Sequence, residues 1–134
     1  MKHTTTLRRL LIAAAVVAVF GTASSSQQPT FTRTVLQRGD LSVPGREGVM
    51  GRADFPPGTT TGKHTHFGEE ISYVLEGSMV LEVEGKPPVT LSAGDVFFIQ
   101  AGQVHNARNT GTAGAKVLAT YVVEKGKPLT TPVP

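Results

Sequence analysis

Hydrophobic and polar positions alternate with a period of two along most of this chain, in short runs broken by glycine and proline. Thr30 to Gln37, rich in β-branched residues, predicts a strand, and Asp40 to Gly48, with Pro44 and two glycines, predicts a loop. Val49 to Phe55 predicts a second strand, ended by Pro56-Pro57-Gly58. A long strand follows, ending at Glu76-Gly77. Met79, Leu81 and Val83 then alternate with Val80, Glu82 and Glu84, as in a strand with one partly wet face. Val89 to Leu91, Val96 to Ile99, Val104 to Arg108 and Lys116 to Val123 complete the strands. The tail from Glu124 holds three prolines and is expected to lie loosely on the surface. Short strands between Gly and Pro turns, with no helical period after the N-terminus, predict an antiparallel all-β barrel or sandwich.

The N-terminus breaks this pattern. Lys2, Arg8 and Arg9 precede an apolar run from Leu10 to Phe20 and the small residues Gly21 to Ser25, the layout of a helical signal peptide over 1–23. The cut is expected after Ala23, with Ser25 as the second choice, and the mature protein is expected to be periplasmic or extracellular. Arg8-Arg9 raises a twin-arginine route, which its flanking residues fit poorly. The formal charge of +3 resides in this segment, because residues 24–134 carry ten basic and ten acidic side chains. A near-neutral mature chain argues against nucleic acid and against a membrane surface once the signal is cut. The chain has no cysteine, so disulfides, thiolate ligands and a lipid-modified cysteine are excluded.

Three of the four histidines fall between Gly58 and Asn109. His64, His66, Glu70, Ser72 and Val74 share one parity, so a single extended strand would aim two imidazoles and a carboxylate at one point. Such ligands suit iron, manganese, nickel or zinc. His105 would have to arrive from elsewhere in space. Against this stands the plainer possibility that the histidines are hydrogen-bonded strand residues and Glu69-Glu70 is solvated surface.

Two motifs decide between them. Gly58, His64, His66, Glu70 and Gly77 fill every defined position of the first signature motif of the cupin superfamily, and Gly94, Gly102, His105 and Asn109 fill the second. Gln100 stands where that family usually has proline. The 16 residues from Ser78 to Ala93 separate the motifs. The chain thus resembles the small, single-domain bacterial cupins. The resemblance implies a jelly-roll barrel over 37–124, preceded by an N-terminal arm and first strand over 24–36 and followed by a flexible tail over 125–134. It also implies His64, His66, Glu70 and His105 as protein ligands of one divalent metal ion.

The opposite parity of the motif strand carries Thr65, Phe67, Ile71, Tyr73 and Leu75, mostly apolar side chains turned away from the ligands. They need cover from an N-terminal strand or a second subunit, and the family's habit of pairing through this sheet implies a homodimer. For the pocket, Ser72 would leave room beside Glu70. Met50, Val74, Phe98 and Tyr121 are candidates for an apolar wall, and Gln100, Gln103 and Asn109 for neutral polar groups near His105. Arg52 could hold an anionic substrate or simply be an exposed, ion-paired arginine. No further histidine or carboxylate stands ready as general acid or base, which weakens decarboxylase and isomerase mechanisms. The expected function is a mononuclear-metal enzyme of dioxygenase type acting on a small oxygenated molecule, like the quercetinase-like cupins. The alternatives are a non-catalytic metal or ligand binder of the cell envelope and, less favoured, a sugar isomerase or epimerase.

Overall fold

The computed structural model describes residues 27–134, so the expected signal helix over 1–23 and the start of the arm lie outside the described residues. Ten strands and no helix make up the rest: β1 (Thr32–Asp40), β2 (Arg46–Phe55), β3 (His64–Thr65), β4 (Gly68–Glu76), β5 (Ser78–Val83), β6 (Val89–Ser92), β7 (Val96–Ile99), β8 (His105–Arg108), β9 (Ala115–Glu124) and β10 (Thr131–Pro132). They form two five-stranded sheets, in the orders β1-β2-β9-β4-β7 and β10-β3-β8-β5-β6, with every pairing antiparallel.

Alternation settles which side chains enter the space between the sheets. On β9, Ala115, Val117, Ala119, Tyr121 and Val123 are buried and the residues between them are not. The same rule puts Val49, Ala53 and Phe55 inward from β2, Val74 from β4, Met79 and Leu81 from β5, and Ile99 from β7. One cluster draws on both sheets and includes Phe55, Val74, Met79, Ile99 and Val117; a smaller one joins Val49, Ala119, Tyr121 and Val123 with Leu129. Burying each such aliphatic side chain stabilises the fold by about 1.5–3 kcal/mol.

The predicted long motif strand is in fact two. The chain leaves one sheet after Thr65 and enters the other at Gly68, because the backbone at the crossing finds partners elsewhere: Gly102 N–H donates to the His66 carbonyl (3.0 Å) and Glu124 N–H to that of Phe67 (2.9 Å). Gly68 is required at the landing point, since a Cβ there would collide with the Val122 carbonyl and sit 2.7 Å from the Val123 Cα. Even parity still holds through the crossing, so His64, His66, Gly68, Glu70, Ser72 and Val74 are all buried.

The tail is not loose. Thr131 and Pro132 pair with Thr65 and His64 as β10, Val133 N–H donates to the Lys63 carbonyl (2.9 Å), and Leu129 packs on the smaller cluster. Proline ends helices and central strands but suits an edge strand such as this one. On the outer face of the first sheet, Phe67, Ile71, Tyr73, Leu75, Val96 and Phe98 are exposed. The N-terminal strand does not cover them; β1 pairs beside β2 at the sheet's edge.

Candidate metal centre

His64 ends up directly opposite His105 across the β3–β8 pair, their ring centroids 4.2 Å apart. Glu70 enters from the facing sheet, next to Tyr121 of β9 and Ile99 of β7. His66 lies between, on the crossing segment. One donor atom from each of His64, His66, Glu70 and His105 lies within 4.8 Å of the others, and all four residues are buried.

The orientation of the imidazoles is set from behind. His64 Nδ1 donates to the Gly62 carbonyl (2.8 Å), His105 Nδ1 to the Gln103 carbonyl (2.9 Å), and His66 Nδ1 to the Leu129 carbonyl. A carbonyl can only accept, so each ring keeps an N–H on Nδ1 and turns Nε2 to the centre. There, His66 Nε2 lies 2.9 Å and His105 Nε2 3.3 Å from the same Glu70 oxygen, Oε2, while Ser72 Oγ donates to Oε1 (2.7 Å).

Electrostatics favour the ligand forms. Burial, reinforced by the nearby His105 and His66 and only partly opposed by the Gly62 carbonyl, lowers the His64 pKa to about 4, which keeps its imidazole neutral. Burial alone would raise the Glu70 pKa. Hydrogen bonds from His105, His66 and Ser72 outweigh it and hold the carboxylate well below its ordinary range. Burial, and next the Glu70 charge, raise the Tyr121 phenol above its usual value. Three imidazoles with inward Nε2 atoms and one ionised carboxylate are the donor set that a divalent first-row metal takes. The four residues could therefore hold a metal ion, and the geometry does not select which one.

The other pocket candidates divide. Tyr121 lines the cavity beside His64, Glu70 and His105, and its ring lies 4.9 Å from that of His66. Ser72 reaches the centre only through Glu70. Met50, Arg52 and Phe98 take the outward parity of their strands and are exposed, so they are not brought to the cavity; Arg52 pairs with Asp54 (3.0 Å). Gln100 is exposed at the turn preceding β8. Asn109 is buried, but its amide is used up on backbone: Nδ2 donates to the Phe55 and Ala113 carbonyls (2.9 and 2.7 Å) and Oδ1 accepts from Gly111 N–H (2.9 Å). It staples a turn and leaves no group for a ligand. Val74 belongs to the apolar cluster. Arg33, which lines the cavity from β1, was not among the candidates, although its parity with Phe31 marked the inward side of that strand.

The cavity itself is small, about 20 Å³, enough for one water-sized body. Its walls come from both sheets and include Phe55, Met79 and Phe97.

Comparison with known proteins agrees with this geometry. The sequence profile of the cupin domain matches residues 51–121. The tetracenomycin polyketide synthase protein TcmJ of Streptomyces glaucescens is 34% identical over 107 residues, covering 79% of this chain and 70% of that protein. An oxalate-binding protein of Thermotoga maritima is 40% identical over 76 residues, 56% of this chain and 62% of that protein. Among solved structures, an uncharacterised protein with a double-stranded β-helix domain from Klebsiella pneumoniae superposes with a TM-score of 0.64 at 20% identity, over 78% of this chain and 88% of that one, a likeness of fold alone.

Proposed function

The chain belongs to the cupin domain family, and from that premise we propose that it is an exported mononuclear-metal enzyme of dioxygenase type acting on a small oxygenated organic molecule. The observation that carries this is the orientation of the four donors: three Nδ1–H groups tied to carbonyls leave three Nε2 atoms and a carboxylate oxygen facing one point. Four protein ligands leave an octahedral ion with open positions, where it would act as a Lewis acid toward substrate oxygens and bind oxygen. The protein's own part is then to hold the ligands, exclude bulk water and admit only small molecules. Among the described residues, the only titratable side chains lining the cavity besides the ligand candidates are Tyr121, kept protonated by burial, and Arg33. That fits a reaction in which the ion carries the chemistry.

A second reading, a non-catalytic binder, is favoured by the tightness of the cavity and by the oxalate-binding relative. Both readings place the protein outside the cytoplasm, on the strength of the signal-like segment, and as a two-fold dimer that covers the outer apolar face of β4 and β7.

Elemental analysis of the mature protein, prepared without chelators or a histidine tag, is the deciding experiment, followed by oxygen-uptake assays with small hydroxy- and keto-carboxylates. Roughly stoichiometric metal with metal-dependent oxygen uptake is the expected result. Stoichiometric metal without turnover would leave the binder, and absence of metal with an intact fold would remove the enzyme reading and leave a binder of small ligands.

A further inference from the structure

The four ligand candidates are buried and the cavity beside them has room for about one water-sized body, so whatever reaches them must pass a wall that moves. Strand order shows where the wall is weakest. β1 is an edge of the first sheet and β10 an edge of the second, and among the described residues no main-chain hydrogen bond joins them. β10 is two residues long and pairs with β3, the strand that carries His64. One side chain crosses this gap. Arg33, on β1 and at the cavity wall, donates from Nη1 to Thr130 Oγ1 (2.7 Å), just ahead of β10. Its guanidinium carbon lies 5.4 Å from the Phe31 ring centroid and 5.7 Å from that of Tyr121, which keeps it in place. The opposite side of the sandwich is closed by backbone instead. There β6 and β7 are joined by a short turn, whose Ala93 and Gly94 N–H groups donate to the Gly77 and Val74 carbonyls (3.0 and 2.9 Å).

The closed contact also carries a cost. Three buried side-chain polar atoms lack a partner among the described residues, and two of them, Arg33 Nε and Thr131 Oγ1, adjoin it. A dry donor or acceptor destabilises by the hydration it has lost, and opening the gap returns water to both. One charge-assisted hydrogen bond set against two unsatisfied groups makes a closure that opens readily, unlike the main-chain bonds at the other side. We infer that the Arg33–Thr130 contact is a latch on the entry route to the metal centre, and that ions and small ligands pass between β1 and β10 when it opens. This deepens the proposed function and rests on it, since the route leads to that site. The latch orients no ligand. The Nδ1 partners of the three histidines are the Gly62, Gln103 and Leu129 carbonyls, whereas the latch uses the Thr130 hydroxyl. Its loss should change how fast an ion moves in and out, and not how tightly the ion is held.

The test is stopped-flow transfer of zinc from the loaded mature protein to a chromophoric chelator, at chelator concentrations where the rate no longer rises. Uptake is followed in the reverse direction and Kd by competition. Thr130→Val keeps the shape of the side chain and removes the acceptor. It should speed release and uptake alike by about 10-fold, the lower end for a hydrogen bond to a charged group, with Kd unchanged to within about twofold. Arg33→Met, which removes the crossing group itself, should move both rates further in the same direction. Arg52→Gln, which breaks the exposed pair with Asp54, should exchange zinc like wild type. Equal melting temperatures of metal-free wild type and Thr130→Val would separate a latch from a loosened barrel. Unchanged rates in Thr130→Val would overturn the latch and leave the metal centre standing, as would faster release with unchanged uptake and a weaker Kd. A wild type that takes up neither zinc nor manganese would overturn the metal-centre reading, and the latch with it.

Discussion

Follow the β4–β9 pair from one end to the other and the interior changes character. Where Val74 pairs with Val117, the surroundings include Phe55 and Met79 of the larger apolar cluster. Where Glu70 pairs with Tyr121, three imidazoles close in, and the apolar cluster shrinks to Val49, Ala119, Tyr121, Val123 and Leu129. The two ends are held differently. The apolar end is stabilised by burial summed over many side chains from both sheets. At the metal end the ligand candidates are held by specific partners, main-chain carbonyls for the three Nδ1 atoms and Ser72 for Glu70. A region of the first kind tolerates exchange of one apolar residue for another of like volume; a region of the second kind depends on geometry atom by atom.

That contrast can be broken from either side. The largest effect is expected from Met79→Ala, which opens a cavity in the buried apolar end and should cost about 2–5 kcal/mol in denaturant unfolding, equally with and without metal. A cost that appeared only in the metal-loaded protein would mean that the two ends are one unit. His105→Ala should do the reverse. It is expected to abolish most bound metal and remove the chelator-sensitive part of the melting temperature, worth about 2.7 kcal/mol when free metal is 100 times its Kd, while the fold persists by circular dichroism.

Acid should act next, and on the metal end. His64 has its pKa lowered to about 4 from 6.5, so between those values the unfolded chain takes up a proton that the folded, metal-free protein refuses. Stability from this group is whole above pH 6.5 and falls as pH drops toward 4. Glu70, whose pKa is also depressed, adds a further loss below its ordinary value of 4.5. Unfolding titrations of metal-free protein at pH 7 and pH 4.5 should show the lower stability at pH 4.5; a flat profile would mean that His64 is not held neutral. The smallest effect on the fold is expected from Ile71→Glu on the outer face, within about 0.5 kcal/mol for a monomer. Its readout is sedimentation: a dimer in wild type and a monomer in the variant, both still binding metal, would sharpen the picture of an interior indifferent to the sheet's outer side.

The two ends also differ in how far the sequence discloses them. Ala115 to Val123 announces its inward side by simple alternation, and so does Met79 to Leu81, which is why the apolar end is readable residue by residue. Parity likewise groups His64, His66 and Glu70, but it cannot show that the chain changes sheets between them. That step depends on Gly102 and Glu124 reaching the His66 and Phe67 carbonyls. Met50, Arg52 and Phe98 were misplaced for a related reason. Each strand has a parity, but only its partners decide which parity faces inward, and an apolar outer face removes the usual contrast. Asn109 shows the other limit. Its position in the second motif is plain, whereas its use in stapling a turn depends on where Phe55 and Ala113 place their carbonyls. The Leu129 carbonyl could not have been found at all, because every residue has one.

That carbonyl puts a clock on the site. All four ligand candidates have been translated once His105 leaves the ribosome, yet the group that turns His66 toward the centre follows the histidine by 63 residues. A nascent or truncated chain ending before Leu129 would carry the complete ligand set with one imidazole free to rotate, and β10 unmade. Metal capture at full strength would therefore wait until the C-terminal segment has been synthesised and docked as β10.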